Sequence, residues 1–288
     1  MSGDEAAAVL GVENLTVTHD GADGPVRAVD GVSFALAAGE ALVLLGESGS
    51  GKTTVARSVL GLTGRARTTG SVRFGGAELL GAGERALSRV RGRHMGYVAQ
   101  DPTAALDPLR RIGRQLAEVL LRHGVAAGRA AARASVPELL AAAGLAAPER
   151  VARSFPHELS GGQRQRAAIA IAVACRPALL VADEPTTALD VLVRAQVLDL
   201  FAELRTAQGT ALLLVTHDRD VARRVGGRTA VMRDGRIVAT GPTHDTLADD
   251  PASADGVPPR PRPTGPDAAD RSLPDSTGPA ADRSGALR

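Results

Sequence analysis

The sequence predicts an α/β fold built on a largely parallel, doubly wound sheet. Three apolar runs of strand length, ALVLL at 41–45, ALLVAD at 178–183 and ALLLV at 211–215, read as strands buried on both faces. Segments of helical periodicity at 52 to about 60, 161–174 and 191–207 alternate with them, as parallel connections require. Glycine-rich GESGSGKTT, 46–54, stands between the first strand and its helix, and an acid pair, Asp183 and Glu184, ends the second strand. Ligands of open parallel sheets bind at that strand edge.

The remaining elements follow in chain order. Residues 1–10 are acidic and small and read as an N-terminal extension, with no basic region and long apolar run to mark a secretory signal. Residues 12–18 and 32–36 read as strands, and extended segments follow near 71–74 and 96–99. The Ala-, Leu- and Arg-rich stretch 111–155 has helical periodicity broken at Gly124, Gly144 and Pro148, and reads as a helical insert. TAVMR and RIVAT flank Asp234 and Gly235, which is a hairpin signal. From about 251 to 288 the chain is Pro, Gly, Ser, Asp and Arg without periodicity, and TGPDAADRS at 264–272 nearly recurs as TGPAADRS at 277–284. Such a segment buries too little apolar surface to offset its ordering entropy and is expected to be disordered, with a linker or docking role as the alternative.

Composition narrows the function. The 288 residues are 44% hydrophobic but only 2% aromatic, so the core must be made of Ala, Leu and Val. The single cysteine, Cys175, lies in an apolar run and reads as a small core residue in a reducing compartment. The longest apolar stretch, 167–175, is far short of the roughly 20 residues of a membrane span, so a membrane role must come through a partner. Net charge is +2, although arginine lifts the pI to about 9.3. The arginines are scattered rather than massed with aromatics, which gives little direct support for nucleic-acid binding.

One lysine, Lys52, stands among 34 lysines and arginines. An ammonium is a compact charge with three donors, whereas a guanidinium is a planar fork, so the position that kept lysine needs that shape. Its surroundings, Gly46, Glu47, Ser48, Gly49, Ser50, Gly51, Lys52, Thr53 and Thr54, fit the phosphate-binding P-loop pattern GxxxxGK[ST] after a strand and before a helix. Glycines let successive amides point at one anion, and the helix N-terminus adds its dipole. Lys52 is expected to reach the β and γ phosphates of a nucleotide and Thr53 to be a magnesium ligand. Asp183 would hold the magnesium directly or through water, and Glu184 would orient or deprotonate the water that attacks the γ-phosphate. An acid pair after a strand also serves as a simple helix cap, and the P-loop upstream tips the reading toward chemistry.

LSGGQRQR at 159–166 adds a third constellation, which alone could be a plain N-cap. With Gly46–Thr54, Gln100, ALLVADEP, the ALD of 188–190 and His217 in LLVTHD, it stands in the order of the ATP-binding cassette (ABC) ATPases, and residues 11–247 resemble that family. The resemblance implies a P-loop NTPase cassette with a mostly parallel core sheet, an antiparallel β subdomain and a helical subdomain at about 105–175. It further implies ATP and Mg2+ as ligands. Two cassettes would pair head to tail, with each ATP between one P-loop and the other chain's Ser160, Gly161, Gly162 and Gln163. Gln100 would contact magnesium or the attacking water, Asp190 would join the two sites, and His217 would bridge the γ-phosphate to Glu184. A lone histidine beside Asp218 would instead read as a cap or surface residue. The family places an aromatic residue against adenine where this chain has His19, an imidazole of smaller stacking area.

VRAVDGVSF at 26–34, QDPTAALDP at 100–108, SFPHELSGGQRQR at 154–166 and DEPTTALDV at 183–191 resemble the peptide and nickel importer branch. That branch implies two membrane permeases, a second ATPase chain and, indirectly, an extracellular solute-binding protein. Its ATPases lie at the cytoplasmic face of the membrane, with the helical insert as the docking site for the permeases. Its His-Pro-Tyr-Thr segment and extra cysteines are not found after Asp250. An exporter ATPase, or a soluble ABC ATPase acting on ribosomes or DNA, is the alternative. A hydrolytically dead cassette is disfavoured by Lys52, Asp183, Glu184 and His217 together.

Overall fold

The computed structural model describes residues 8–21, 24–187 and 189–248. The expected disorder of 251–288 and most of the expected N-terminal extension lie outside the described residues, as does Ala188 of the ALD segment.

Two sheets organise the chain. Strands β1 (Ala8–Gly21), β2 (Gly24–Ala37), β4 (Arg67–Phe74) and β5 (Ala77–Glu78) form an antiparallel sheet in the order β2-β1-β4-β5. The main sheet runs β10-β9-β3-β8-β7-β6, from β3 (Ala41–Leu45), β6 (Met95–Val98), β7 (Leu179–Asp183), β8 (Ala211–Thr216), β9 (Arg228–Arg233) and β10 (Arg236–Pro242). All its pairings are parallel except β9 with β10, which close the expected hairpin at Asp234 and Gly235. The three continuous apolar runs became β3, β7 and β8, neighbours at the centre of that sheet and buried throughout.

The alternation of side chains along β3 sorts the core into two layers. Leu42 and Leu44 face α1 (Lys52–Val59) and the antiparallel sheet, packing with Val55, Val59, Leu10 and Leu36. Ala41, Val43 and Leu45 face the other way, toward α7 (Gly161–Val173), α8 (Val191–Gln208) and α9 (Arg219–Val225), around Ile169, Val197, Phe201 and Val221. Phe201 is among the largest fully buried side chains and one of only four phenylalanines, so no aromatic neighbour fills the space it would leave. Phe201→Ala is expected to lower stability by about 3–5 kcal/mol, read as a fall in the denaturant midpoint with the slope unchanged.

After α2 (Glu84–Val90) and α3 (Pro102–Ala105), the helical insert has its own core of Leu116, Leu120, Val136, Leu140 and Val151, from α4 (Ile112–Arg122), α5 (Arg129–Ala142) and α6 (Pro148–Arg153). The expected breaks hold: α4 ends before Gly124, α5 before Gly144, and α6 starts on Pro148. Pro137 is the exception, lying inside α5. It removes one N–H from the helical ladder, and burial of Val136 and Leu140 on either side carries the helix through it.

At the N-terminus the structure corrects a boundary. Residues 8–10, expected in the extension, are the first of β1, where Leu10 is fully buried and Ala8 pairs with Ala37. Pairing with both β2 and β4 holds the strand extended through Gly11.

Candidate nucleotide site

Residues 46–51 form the turn from β3 into α1. A Cβ at Gly46 would stand 2.3 Å from the Met232 carbonyl oxygen, and one at Gly51 would stand 2.3 Å from that of Ala28. Gly51 also has φ of 99°, which favours glycine, so the loop lies too close to neighbouring backbone for any side chain at either place. The β9–β10 turn seats it from below: the Gly235 N–H donates to the Ser50 carbonyl at 3.1 Å, while the Gly235 carbonyl accepts from Asp30 N–H at 2.9 Å. The sequence showed the hairpin but gave no sign that it carries the loop.

The Lys52 ammonium, 4% exposed, donates to the carbonyls of Gly46 at 2.8 Å and Glu47 at 2.7 Å and to Ser50 Oγ at 3.3 Å. Burial pulls its pKa below the usual lysine value, opposed by the charges of Glu184, Asp183 and Glu47.

Three adjacent parallel strands bring the other polar groups to the same edge. Asp183 ends β7, Glu184 follows it, Gln100 comes two residues after β6 and His217 one after β8. Thr53 Oγ1 donates to Asp183 Oδ1 at 2.9 Å. Asp183 is 2% exposed, and burial raises its pKa above the usual carboxylate value despite the Thr53 bond and the charge of Arg57. Glu184 accepts from Gln100 Nε2 at 3.2 Å and Thr187 Oγ1 at 3.1 Å on Oε2, and its Oε1 lies 3.3 Å from His217 Nδ1. Its backbone takes φ of 46°, unusual for a non-glycine residue, held there by a 2.9 Å bond from its N–H to the Val215 carbonyl. Non-glycine residues in that region carry strain, which gathers at functional sites.

Burial disfavours the ionised form of Asp183 even with Thr53, Tyr97 and Arg57 beside it. Asp183→Asn keeps an acceptor for Thr53 and removes the buried charge, so it is expected to raise the stability of the ligand-free protein by about 0.5–2 kcal/mol, read as a higher melting temperature. An unchanged or lower melting temperature would show that the ionised group is already fully compensated.

Ser160, Gly161, Gly162 and Gln163 form a helix start. Ser160 caps α7, its Oγ accepting from Gln163 N–H at 3.3 Å while Gln163 Oε1 accepts from Ser160 N–H at 3.1 Å. A Cβ on Gly161 would meet nothing within 4 Å, whereas one on Gly162 would touch Val193 at 3.1 Å. Asp190 caps α8 by accepting from Val193 N–H at 2.9 Å, and Arg194, one turn on, pairs with Asp218 beside His217 at 2.9 Å. Among the described residues no hydrogen bond joins Ser160–Gln163 or His19 to the P-loop or to Glu184. His19 is exposed on β1 opposite Val26, two residues along β2 from the Ala28 carbonyl that crowds Gly51.

Sequence reasoning missed two contacts. Thr187 touches Glu184 from the turn after β7, and Tyr97 donates to Asp183 Oδ2 at 3.4 Å. The register of β6 on β7 could have found the second, since Tyr97 pairs with Val181 and Asp183 is the next residue on the same face.

A buried lysine in a glycine-rich strand-to-helix turn, faced by carboxylates at the ends of neighbouring parallel strands, defines a P-loop nucleotide-binding cassette. Residues 29–187, over half of the chain, match the family described as ABC transporter, and the chain belongs to that family. It is 46% identical over 242 residues to the oligopeptide transport ATP-binding protein OppD of Mycobacterium tuberculosis, covering 84% of this chain and 40% of OppD. It is 45% identical over 244 residues to the peptidoglycan transport ATP-binding protein YejF of Agrobacterium fabrum, covering 84% of this chain and 44% of YejF. This chain therefore spans less than half the length of these relatives. Among solved structures, the dimeric, post-hydrolysis state of the ATP-binding cassette MJ0796 bound to ADP and Pi matches with a TM-score of 0.74 and 30% identity, over 81% of this chain and 98% of that one.

Proposed function

We propose that this chain is the ATP-binding and ATP-hydrolysing subunit of an ABC importer of peptides or related small solutes. The observation that carries the hydrolytic part is the Glu184 carboxylate, gripped by Gln100, Thr187 and His217 beside the buried Asp183–Thr53 pair. The names of the M. tuberculosis and A. fabrum relatives support the transport part.

The P-loop amides and the α1 N-terminus bind the nucleotide phosphates, and Lys52 exchanges its loop carbonyls for phosphate oxygens. Glu184 accepts a proton from the attacking water as the bond to the γ-phosphorus forms and the β–γ bridging bond breaks, giving ADP and inorganic phosphate. His217, with Nδ1 beside Glu184 Oε1, bridges that carboxylate to the γ-phosphate. The hydroxyl, carboxylate and amide of Thr53, Asp183 and Gln100 are hard oxygen donors suited to Mg2+, which when bound neutralises charge on the phosphates. Ser160, Gly161, Gly162 and Gln163, at a capped helix start with Gly161 in open space, serve the ATP of a second cassette, and Asp190 lies at the junction of the two sites. His19 stacks on adenine.

The cassette spans 8–247, its first strand starting at Ala8, with its helical subdomain at about 105–175 docking on two permeases at the cytoplasmic face of the membrane, and a solute-binding protein acts outside. No helix among the described residues is long and apolar enough to cross a membrane. The test is to recover tagged Glu184→Gln protein with ATP from gently solubilised native membranes and identify its companions by mass spectrometry. Two permeases and a second cassette chain are expected. Ribosomes or DNA complexes with no membrane protein would overturn the transport reading.

A further inference from the structure

We propose that Tyr97 is a positioning residue for the metal step, holding the second oxygen of Asp183 so that the first stays turned toward Thr53. The inference rests on the nucleotide-site reading above. β6 and β7 run parallel with Tyr97 opposite Val181, so the Tyr97 ring lies on the face of the sheet that α1 covers. Asp183 is two residues beyond Val181 and shares that face. A phenol is long enough to bridge the step of one strand pair and a single residue pair along it, and the hydroxyl reaches Asp183 Oδ2 at 3.4 Å. Thr53, from α1, takes Oδ1 at 2.9 Å. The carboxylate is thus pinned from two sides, with a different donor on each oxygen. Arg57, one helical turn after Thr53, adds a positive charge beside both Tyr97 and Asp183.

This division of labour matters because Asp183 is buried and has few other partners to set its torsion. A carboxylate held on one oxygen only can rotate about its Cβ–Cγ bond and present either oxygen to a cation. With Oδ2 engaged, rotation costs a hydrogen bond, and one oxygen is preselected for the metal. Hydrogen bonds to metal-holding groups from such outer partners are typically worth about 10–100-fold in metal affinity. A phenylalanine would fill the same space against Val181 and lose this bond together with the one that Arg57 gives the phenol oxygen.

The test is Tyr97→Phe in the full chain, with affinity for a non-hydrolysable ATP analogue measured by calorimetry in the presence of magnesium and in the presence of a chelator. The ratio of the two affinities is expected to fall by about 10-fold or more in the variant, while the metal-free affinity stays as in wild type. That metal-free value is the folding control, since a structural role alone would lower both affinities together. An unchanged ratio would overturn the proposal. Wild-type protein that binds no nucleotide at all would instead overturn the site reading on which it rests. A second readout comes with the composition, because the chain has one tyrosine and no tryptophan, so its tyrosine emission reports on this residue alone. Emission from nucleotide-bound wild type is expected to change when magnesium is added, and emission blind to magnesium would count against the contact.

Discussion

Replacing Glu184 with glutamine is expected to lower ATP turnover by about 10²–10⁴-fold, the usual contribution of a positioned general base, and to leave ATP binding intact. The substitution is close to isosteric, and the surroundings can accept it. The amide oxygen can take the bonds from Gln100 Nε2 and Thr187 Oγ1, leaving the amide nitrogen facing His217 Nδ1. The left-handed backbone at position 184 and its N–H bond to Val215 do not depend on the side chain's charge. What disappears is the ability to take a proton. Single-turnover hydrolysis and nucleotide retention, measured on the same preparation, separate the two effects. Near wild-type turnover, or loss of ATP binding, would reassign Glu184 to a structural role.

Lys52→Arg is expected to lose hydrolysis by about 10²–10³-fold although the charge is kept, because the loss is one of placed charge stabilisation. The ammonium points three donors at three oxygens within a turn that has no room to widen, being held by Met232 on one side and Ala28 on the other. A planar fork cannot satisfy that arrangement and cannot swing from it to a phosphate in the same loop. The measurement is steady-state phosphate release together with ATP affinity. Since arginine serves as the cation almost everywhere else in this chain, wild-type turnover in the variant would show that lysine at 52 is incidental.

Much of the site was legible because its signals are local. The P-loop is nine consecutive residues whose spacing states its own chemistry, and Asp183 and Glu184 follow directly on a buried apolar run. The capping role of Ser160 is local too, set by the next three residues of its helix. The resemblance to ABC ATPases added Gln100 and His217, whose only local mark is that each follows a strand. The structure then brought both to Glu184 from two neighbouring strands. Where local reading failed, distant partners decided. Leu10 is core because β2 and β4 cover it, and Pro137 remains in a helix because the insert's own core holds that helix.

The sequence by itself determined the alternation of strands and helices, the phosphate-binding turn, the acid pair and the single privileged lysine, all properties of residues near one another in the chain. Only the tertiary structure decided that Tyr97 meets Asp183 across 86 residues, that Gly235 seats the loop at Ser50, and that Gln100, Glu184 and His217 share one carboxylate. The physical reason is register. Side chains at the ends of parallel strands become neighbours through the pairing of strands far apart in sequence, and that pairing is settled by burial of both faces of the sheet at once.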